Sequence, residues 1–133
     1  MKLFLSLYVL AAGIFVIIDA IWLSVIANSF YKEKLGKLLA EKPSLGAAAI
    51  FYALYILGLV VFIIKPGIDQ SLTTVAWKGA LLGLIMYATY DLTNQATLKD
   101  WPVSITIVDL IWGTFITATV SVLTVLVYTH LFS

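Results

Sequence analysis

Three aspartates stand inside stretches of the chain that are otherwise strongly apolar, namely Asp19, Asp91 and Asp109. A charged side chain at the centre of a bilayer costs about 2.5–3.5 kcal/mol on insertion scales, so such residues face the interior of a helix bundle and mark candidate functional sites. Asp19 and Asp91 lie late in their apolar stretches, whereas Asp109 lies early in its own. If successive helices run antiparallel, the three carboxyl groups share one side of the membrane and form a single polar layer.

Aromatic and amide side chains accompany these aspartates at helical spacing. The pattern Asp-x-Ile-Trp occurs twice, at Asp19 to Trp22 and at Asp109 to Trp112, and places each indole one helical turn from its carboxyl group. The segment from Tyr87 to Pro102 adds two tyrosines and an asparagine around the third aspartate. The predicted substrate-binding residues are Asp19, Trp22, Tyr87, Tyr90, Asp91, Asn94, Asp109 and Trp112.

The same three aspartates, Asp91, Asp19 and Asp109, are the catalytic candidates, because a carboxyl group shielded from water can act as a general acid or base. Lost hydration and like charge oppose ionisation of all three in one cavity, so we expect at least one to keep its proton unless a cation is present. The candidates for this cation are the Lys99 side chain, a bound metal ion and a cationic substrate. The chain has no cysteine and the spans hold no histidine, so a metal would need oxygen ligands alone. No metal site is predicted, and the sequence leaves any cofactor open.

Two stripes of small and polar residues repeat every four positions. One comprises Gly79, Gly83, Tyr87 and Asp91, and the other comprises Asp109, Gly113, Thr117 and Ser121. Glycine at this spacing lets a neighbouring helix approach closely, while the polar members supply hydrogen bonds between helices. We interpret both stripes as helix-packing surfaces.

The amino-acid composition predicts the fold that positions the three aspartates and their neighbours. Hydrophobic residues make up 62 % of the sequence and charged residues 11 %, against about a quarter charged in a soluble domain. The apolar stretches predict an all-α, antiparallel bundle of four transmembrane helices in one domain, residues 1–133, with spans at about 3–28, 44–64, 75–97 and 103–128. A short lysine-rich interfacial segment separates the first two helices. The first stretch exceeds the roughly 7–15 apolar residues of a signal peptide, so we expect an uncleaved helix.

The distribution of lysine predicts the orientation of the bundle. One side carries five lysines and the other carries three, and the richer side is expected to face the cytoplasm, with both termini in the periplasm. The five are Lys32, Lys34, Lys37, Lys42 and Lys99, and the three are Lys2, Lys65 and Lys78. A net charge of +1 without a basic stripe argues against nucleic-acid binding.

The motif Tyr90-Asp91-Leu92-Thr93-Asn94, followed by Ala96 to Lys99 and by Trp101-Pro102, resembles domain of unknown function 2177. The resemblance extends over essentially the whole chain, including both Asp-x-Ile-Trp elements. It implies a four-span protein of the bacterial inner membrane and implies no particular activity.

Three functions fit these patterns. The first is binding or modification of a lipid or small amphiphilic molecule in a cavity of Asp, Asn, Tyr and Trp side chains, which leaves open whether the protein is an enzyme. The second is proton-coupled transport of a cation or amphiphile, with a homodimer expected because four helices enclose little volume. The third is a structural or accessory membrane subunit, in which the polar layer only fixes how the helices pack.

Overall fold

A computed structural model describes residues 1–132 of the chain as a bundle of helices without strands. Four of its helical stretches are long and apolar enough to cross a membrane, as predicted: Lys2–Leu38, Leu45–Gly67, Leu72–Thr97 and Val103–Phe132. The α-helices are α1 (Lys2–Trp22), α2 (Asn28–Leu35), α3 (Leu45–Leu59), α4 (Lys65–Gly67), α5 (Leu72–Thr97) and α6 (Val103–Phe132). The all-α, four-span architecture predicted from the sequence is thereby confirmed.

The first span is longer than the expected 3–28. After Trp22 a π-helical turn, Leu23–Ala27, leads directly into α2, and a 3-10 turn follows at Gly36–Leu38. This stretch of 37 residues exceeds what a hydrocarbon core of about 30 Å requires. The lysine-rich segment between the first two spans therefore begins as a helical continuation of the first, with its lysines exposed.

A tightly packed apolar core fills the half of the bundle near the two termini. It combines the start of the first span, the end of the second, the start of α5 and the end of α6. Fully buried members include Leu7, Ala11, Leu59, Val60, Ile64, Val75 and Val120. The three aspartates belong to the opposite half, so the bundle is divided into an apolar end and a polar end.

Helices α5 and α6 pack together along more of their length than any other pair. Their two predicted stripes face each other in antiparallel register, so that each step of four residues along α5 is matched by a step of four back along α6. The pairs are Gly79 with Ser121, Gly83 with Thr117, Tyr87 with Gly113 and Asp91 with Asp109.

Glycine makes this close approach of the two helices sterically feasible. A Cβ atom on Gly83 would lie 2.6 Å from the Thr117 side chain and would also overlap the carbonyl oxygen of Gly113, while a Cβ on Gly113 would overlap the Tyr87 ring. The Thr117 hydroxyl also shares a hydrogen bond of 2.6 Å with Tyr55, which joins α3 to the pair. The interpretation of the stripes as packing surfaces is confirmed, and their register sets Asp91 opposite Asp109.

Candidate functional site

Asp91 is the most deeply buried of the three aspartates. It lies on α5 with 0 % of its surface exposed. Neither of its side-chain oxygens accepts a hydrogen bond from a donor within residues 1–132. A buried polar group without a partner is unfavourable, and more so inside a membrane, where water cannot replace the missing donor.

Asp109, on α6, is the neighbour that faces Asp91. The two carboxyl groups are close enough to interact directly. Two carboxylates are both acceptors, so a hydrogen bond between them requires a proton on one. Asp109 also accepts a hydrogen bond from the hydroxyl of Tyr31, which reaches it from α2.

Asp19 occupies a separate position in the polar half of the bundle. Its carboxylate accepts a long hydrogen bond, 3.4 Å, from the hydroxyl of Tyr52 on α3. The indole of Trp112 on α6 also comes within hydrogen-bonding reach of this carboxylate. The structure therefore brings Asp91 and Asp109 together and holds Asp19 apart from them, between the first, second and fourth spans.

Lys99 does not serve as a counter-charge to this group. Its side chain is exposed, and within residues 1–132 no ion pair joins it to any of the three aspartates. The same residues contain no group of three or more His, Cys, Asp or Glu side chains arranged to hold a metal ion.

The two tryptophans of the repeated pattern stack on each other between α1 and α6. The rings of Trp22 and Trp112 lie nearly parallel, with centroids 4.2 Å apart. Trp112 approaches Asp19 of the other repeat, and Trp22 comes within hydrogen-bonding reach of Tyr31, the partner of Asp109. Each indole thus supports the carboxyl group of the opposite repeat, directly or through a tyrosine.

Two clefts flank α3 and reach these carboxyl groups. The first has a volume of about 340 Å³, lies between α1 and α3, and contains Asp19 and Tyr52 among mostly apolar side chains. The second has a volume of about 320 Å³ and lies between α3, α5 and α6. Its lining residues are Phe51, Tyr52, Met86, Tyr87, Tyr90 and Asp109. Tyr52 belongs to both clefts and separates them.

The predicted site residues divide between these places. Tyr87, Tyr90 and Asp109 line the second cleft, Asp19 lines the first, and Asp91 is buried next to Asp109 and lines neither. Asn94 lies one turn beyond Tyr90, next to that phenol and outside the cleft. Trp22 and Trp112 line a smaller apolar cleft with side chains of α6.

Sequence reasoning missed Tyr31 and Tyr52 as members of the site. Tyr31 lies beyond the expected end of the first span at residue 28, and nothing in the sequence signals the π-helical turn through which the helix continues to it. Tyr52 lies in the second span, where its spacing of three residues from Tyr55 is a signal that two phenols share one helix face.

Another cluster of polar side chains lies where α5 connects to α6. Thr106 donates to the side-chain oxygen of Gln95 over 2.8 Å and accepts from the Trp101 indole over 3.1 Å. The Gln95 amide donates in turn to the Trp101 carbonyl over 2.9 Å. The three side chains are hydrogen-bonded to one another, so we assign this cluster a structural role.

Comparison with known protein families gives a match. A family model described as predicted membrane protein (DUF2177) matches residues 4–126, which include most of all four spans. Neither the curated proteins nor the solved structures gave a match. The match agrees with the resemblance noted in the sequence and extends across both halves of the bundle.

Proposed function

We propose that this chain, which belongs to the DUF2177 family of predicted membrane proteins, binds a small amphiphile from the surrounding lipid with the amphiphile's polar end at Asp109. The observation that carries the proposal is the second cleft. Its volume of about 320 Å³ is within the usual range of ligand pockets, about 300–1,000 Å³. Because it lies among membrane-spanning helices, a hydrocarbon chain can extend from it into the lipid.

The side chains around the cleft favour a cationic head group. Phe51 and Met86 provide an apolar wall, and Asp109 supplies a carboxyl group. Aromatic rings such as those of Tyr87 and Tyr90 attract a cation through their faces. No lysine contributes to the lining, so an ammonium group would meet acceptors and rings without a competing positive charge.

A binding experiment with matched probes tests this proposal. The protein in lipid nanodiscs is exposed to a long-chain primary amine or to the alcohol of equal chain length, and native mass spectrometry measures retention. We expect the amine to be retained preferentially and Asp109→Asn to weaken its binding tenfold or more, because the charge that attracts the ammonium is lost. Asp69→Asn, a change in an exposed loop, is the control and should leave binding unaltered.

Equal retention of amine and alcohol, or amine binding that Asp109→Asn leaves intact, would reject the cleft as a cation-selective site. Retention of neither probe would reject amphiphile binding and leave the structural role of the polar layer as the better account.

Transport is the second candidate function, and the adjacent carboxyl groups of Asp91 and Asp109 favour it because such a pair can take up and release a proton. The packed apolar core in the other half of the bundle blocks a continuous path through one chain, since Leu7, Leu59 and Val120 are fully buried there. Passage across the membrane would therefore need a second copy, as a homodimer. Binding of an amphiphile requires only one chain, so we propose binding ahead of transport.

We also propose that the bundle lies in a bacterial inner membrane with both termini in the periplasm. The lysines at the exposed end of the first span support this orientation. Because the chain has no cysteine, Lys37→Cys and His130→Cys each introduce a single thiol. A membrane-impermeant maleimide applied to intact cells with a permeable outer membrane should label the His130→Cys protein and spare the Lys37→Cys protein. The reverse labelling would invert the orientation.

A further inference from the structure

Asp91 is a carboxyl group for which the rest of the bundle provides no donor. Its surface is completely buried, and within residues 1–132 neither oxygen has a hydrogen-bond partner. Lysine does not neutralise it, since the structure records no ion pair to Asp91 in that part of the chain. An ionised Asp91 would therefore be a buried, unpaired charge beside a second carboxyl group, which is strongly unfavourable.

We propose that Asp91 and Asp109 form a proton-binding site that holds one proton between them, with Asp91 as the carboxylic acid and Asp109 as the carboxylate that accepts its hydrogen bond. The proton supplies the donor that neither oxygen of Asp91 finds elsewhere. It also removes the repulsion between two adjacent negative charges. One proton therefore both satisfies the hydrogen bonding of Asp91 and removes the charge repulsion between the two residues.

The surroundings determine which of the two residues is charged. Asp109 accepts a hydrogen bond from Tyr31 and borders the second cleft, so its negative charge is stabilised by a donor and lies nearest to any cation in the cleft. Asp91 has no such donor and does not border the cleft. A carboxylate is favoured where donors are present, so the proton belongs on Asp91.

The titratable groups around the pair are phenols and one further carboxyl group. Tyr31 approaches from α2 and Tyr90 from α5 itself, and both interact electrostatically with the aspartates. Tyr87 on α5 and Asp19 on α1 belong to the same polar half, with Tyr52 and Tyr55 contributed by α3. None of these groups carries a positive charge, so none can replace the proton.

The α5–α6 interface explains how the pair is held. The preceding three pairs of the two stripes involve Gly79, Gly83 and Gly113, and they bring the backbones close enough for two short side chains to meet one step further along. An aspartate side chain is too short to meet its partner across helices at ordinary separation. The proton-binding site therefore depends on the glycines of the same interface.

Infrared spectroscopy of the protein in lipid tests this site without any ligand, so it is independent of the amphiphile-binding experiment. A protonated carboxyl group has a C=O stretch that a carboxylate lacks, and hydrogen–deuterium exchange shifts it. At neutral pH we expect such a band in the wild-type protein. Asp91→Asn should abolish it, Asp109→Asn should shift it because a neutral amide accepts a weaker hydrogen bond than a carboxylate, and Asp19→Asn should leave it unchanged.

Three outcomes would overturn the shared proton. Absence of the band in the wild-type protein means that both carboxyl groups are ionised, and persistence of the band in Asp91→Asn means that another group holds the proton. A band that Asp109→Asn does not shift means that Asp91 keeps its proton alone. Asparagine has the size of a protonated aspartate, which favours folding of the variants. If Asp91→Asn nonetheless fails to fold, ¹³C labelling of the aspartate carboxyl carbons in the wild-type protein reports the same proton by nuclear magnetic resonance.

Discussion

Gly83→Ala is expected to lower the free energy of unfolding by about 1–3 kcal/mol, the usual cost of overpacking a close interface. The added Cβ atom would lie 2.6 Å from the Thr117 side chain and overlap the Gly113 carbonyl oxygen. Backbone atoms cannot move aside as a flexible side chain can, so α5 and α6 must separate. The change is measured by reversible unfolding in mixed detergent micelles.

Separation of the two helices has consequences beyond packing. Thr117 is hydrogen-bonded to Tyr55, so a shift of α6 weakens the attachment of α3. It also draws Asp91 away from Asp109, which is the second pair beyond Gly83 and Thr117 along the interface. We therefore expect Gly83→Ala to disturb the polar half of the bundle as well as its stability.

Gly13→Ala is the matched control, because a Cβ atom on Gly13 would meet no atom within 4 Å among residues 1–132. Gly13 lies in the middle of α1, and alanine is favoured over glycine within a helix by about 1 kcal/mol. This variant should be as stable as the wild-type protein or slightly more stable. Equal stability of Gly83→Ala and Gly13→Ala would contradict the close contact of α5 with α6.

The α5–α6 interface could be predicted from the sequence because its determinants are local and periodic. Glycine and polar side chains recur every four residues on both helices, and a short connection between the helices makes them antiparallel neighbours. The register of the two stripes was not predicted. It depends on where the connection turns, and the turn at Leu98 to Pro102 includes Asp100 with a positive φ of 64°.

The site could be predicted only in part, for a physical reason that concerns helix continuity. A π-helical turn adds one residue to a turn and rotates everything beyond it by about 100° relative to an uninterrupted α-helix. The turn at Leu23–Ala27 therefore decides which side chains of α2 face the bundle, and no sequence signal marks it. The pairing of Asp91 with Asp109 can be predicted from the four-residue periodicity of the two stripes. The position of Tyr31, which donates to Asp109, depends instead on the π-helical turn, which the sequence does not reveal.

Tyr31→Phe is expected to lower the free energy of unfolding by about 1.5–3 kcal/mol, the usual contribution of a hydrogen bond to a charged group. The substitution keeps the aromatic ring and removes only the hydroxyl that donates to Asp109. No side chain between Asn28 and Leu35 is fully buried, so this hydrogen bond contributes to the attachment of α2 to the bundle. Hydrogen exchange of the α2 amides should accelerate more than that of α5 or α6.

Tyr128→Phe is the matched control for this change. Tyr128 stacks on Phe132 with ring centroids 4.9 Å apart, and within residues 1–132 its hydroxyl has no hydrogen-bond partner. Loss of the Tyr128 hydroxyl should alter the free energy of unfolding by no more than about 0.5 kcal/mol. A double-mutant cycle of Tyr31→Phe with Asp109→Asn then isolates the interaction, because a hydroxyl that bonds the carboxylate must have less effect once the charge is gone. If Tyr31→Phe is as mild as Tyr128→Phe, or if its effect is unchanged in the Asp109→Asn background, α2 does not stabilise the charged member of the carboxyl pair.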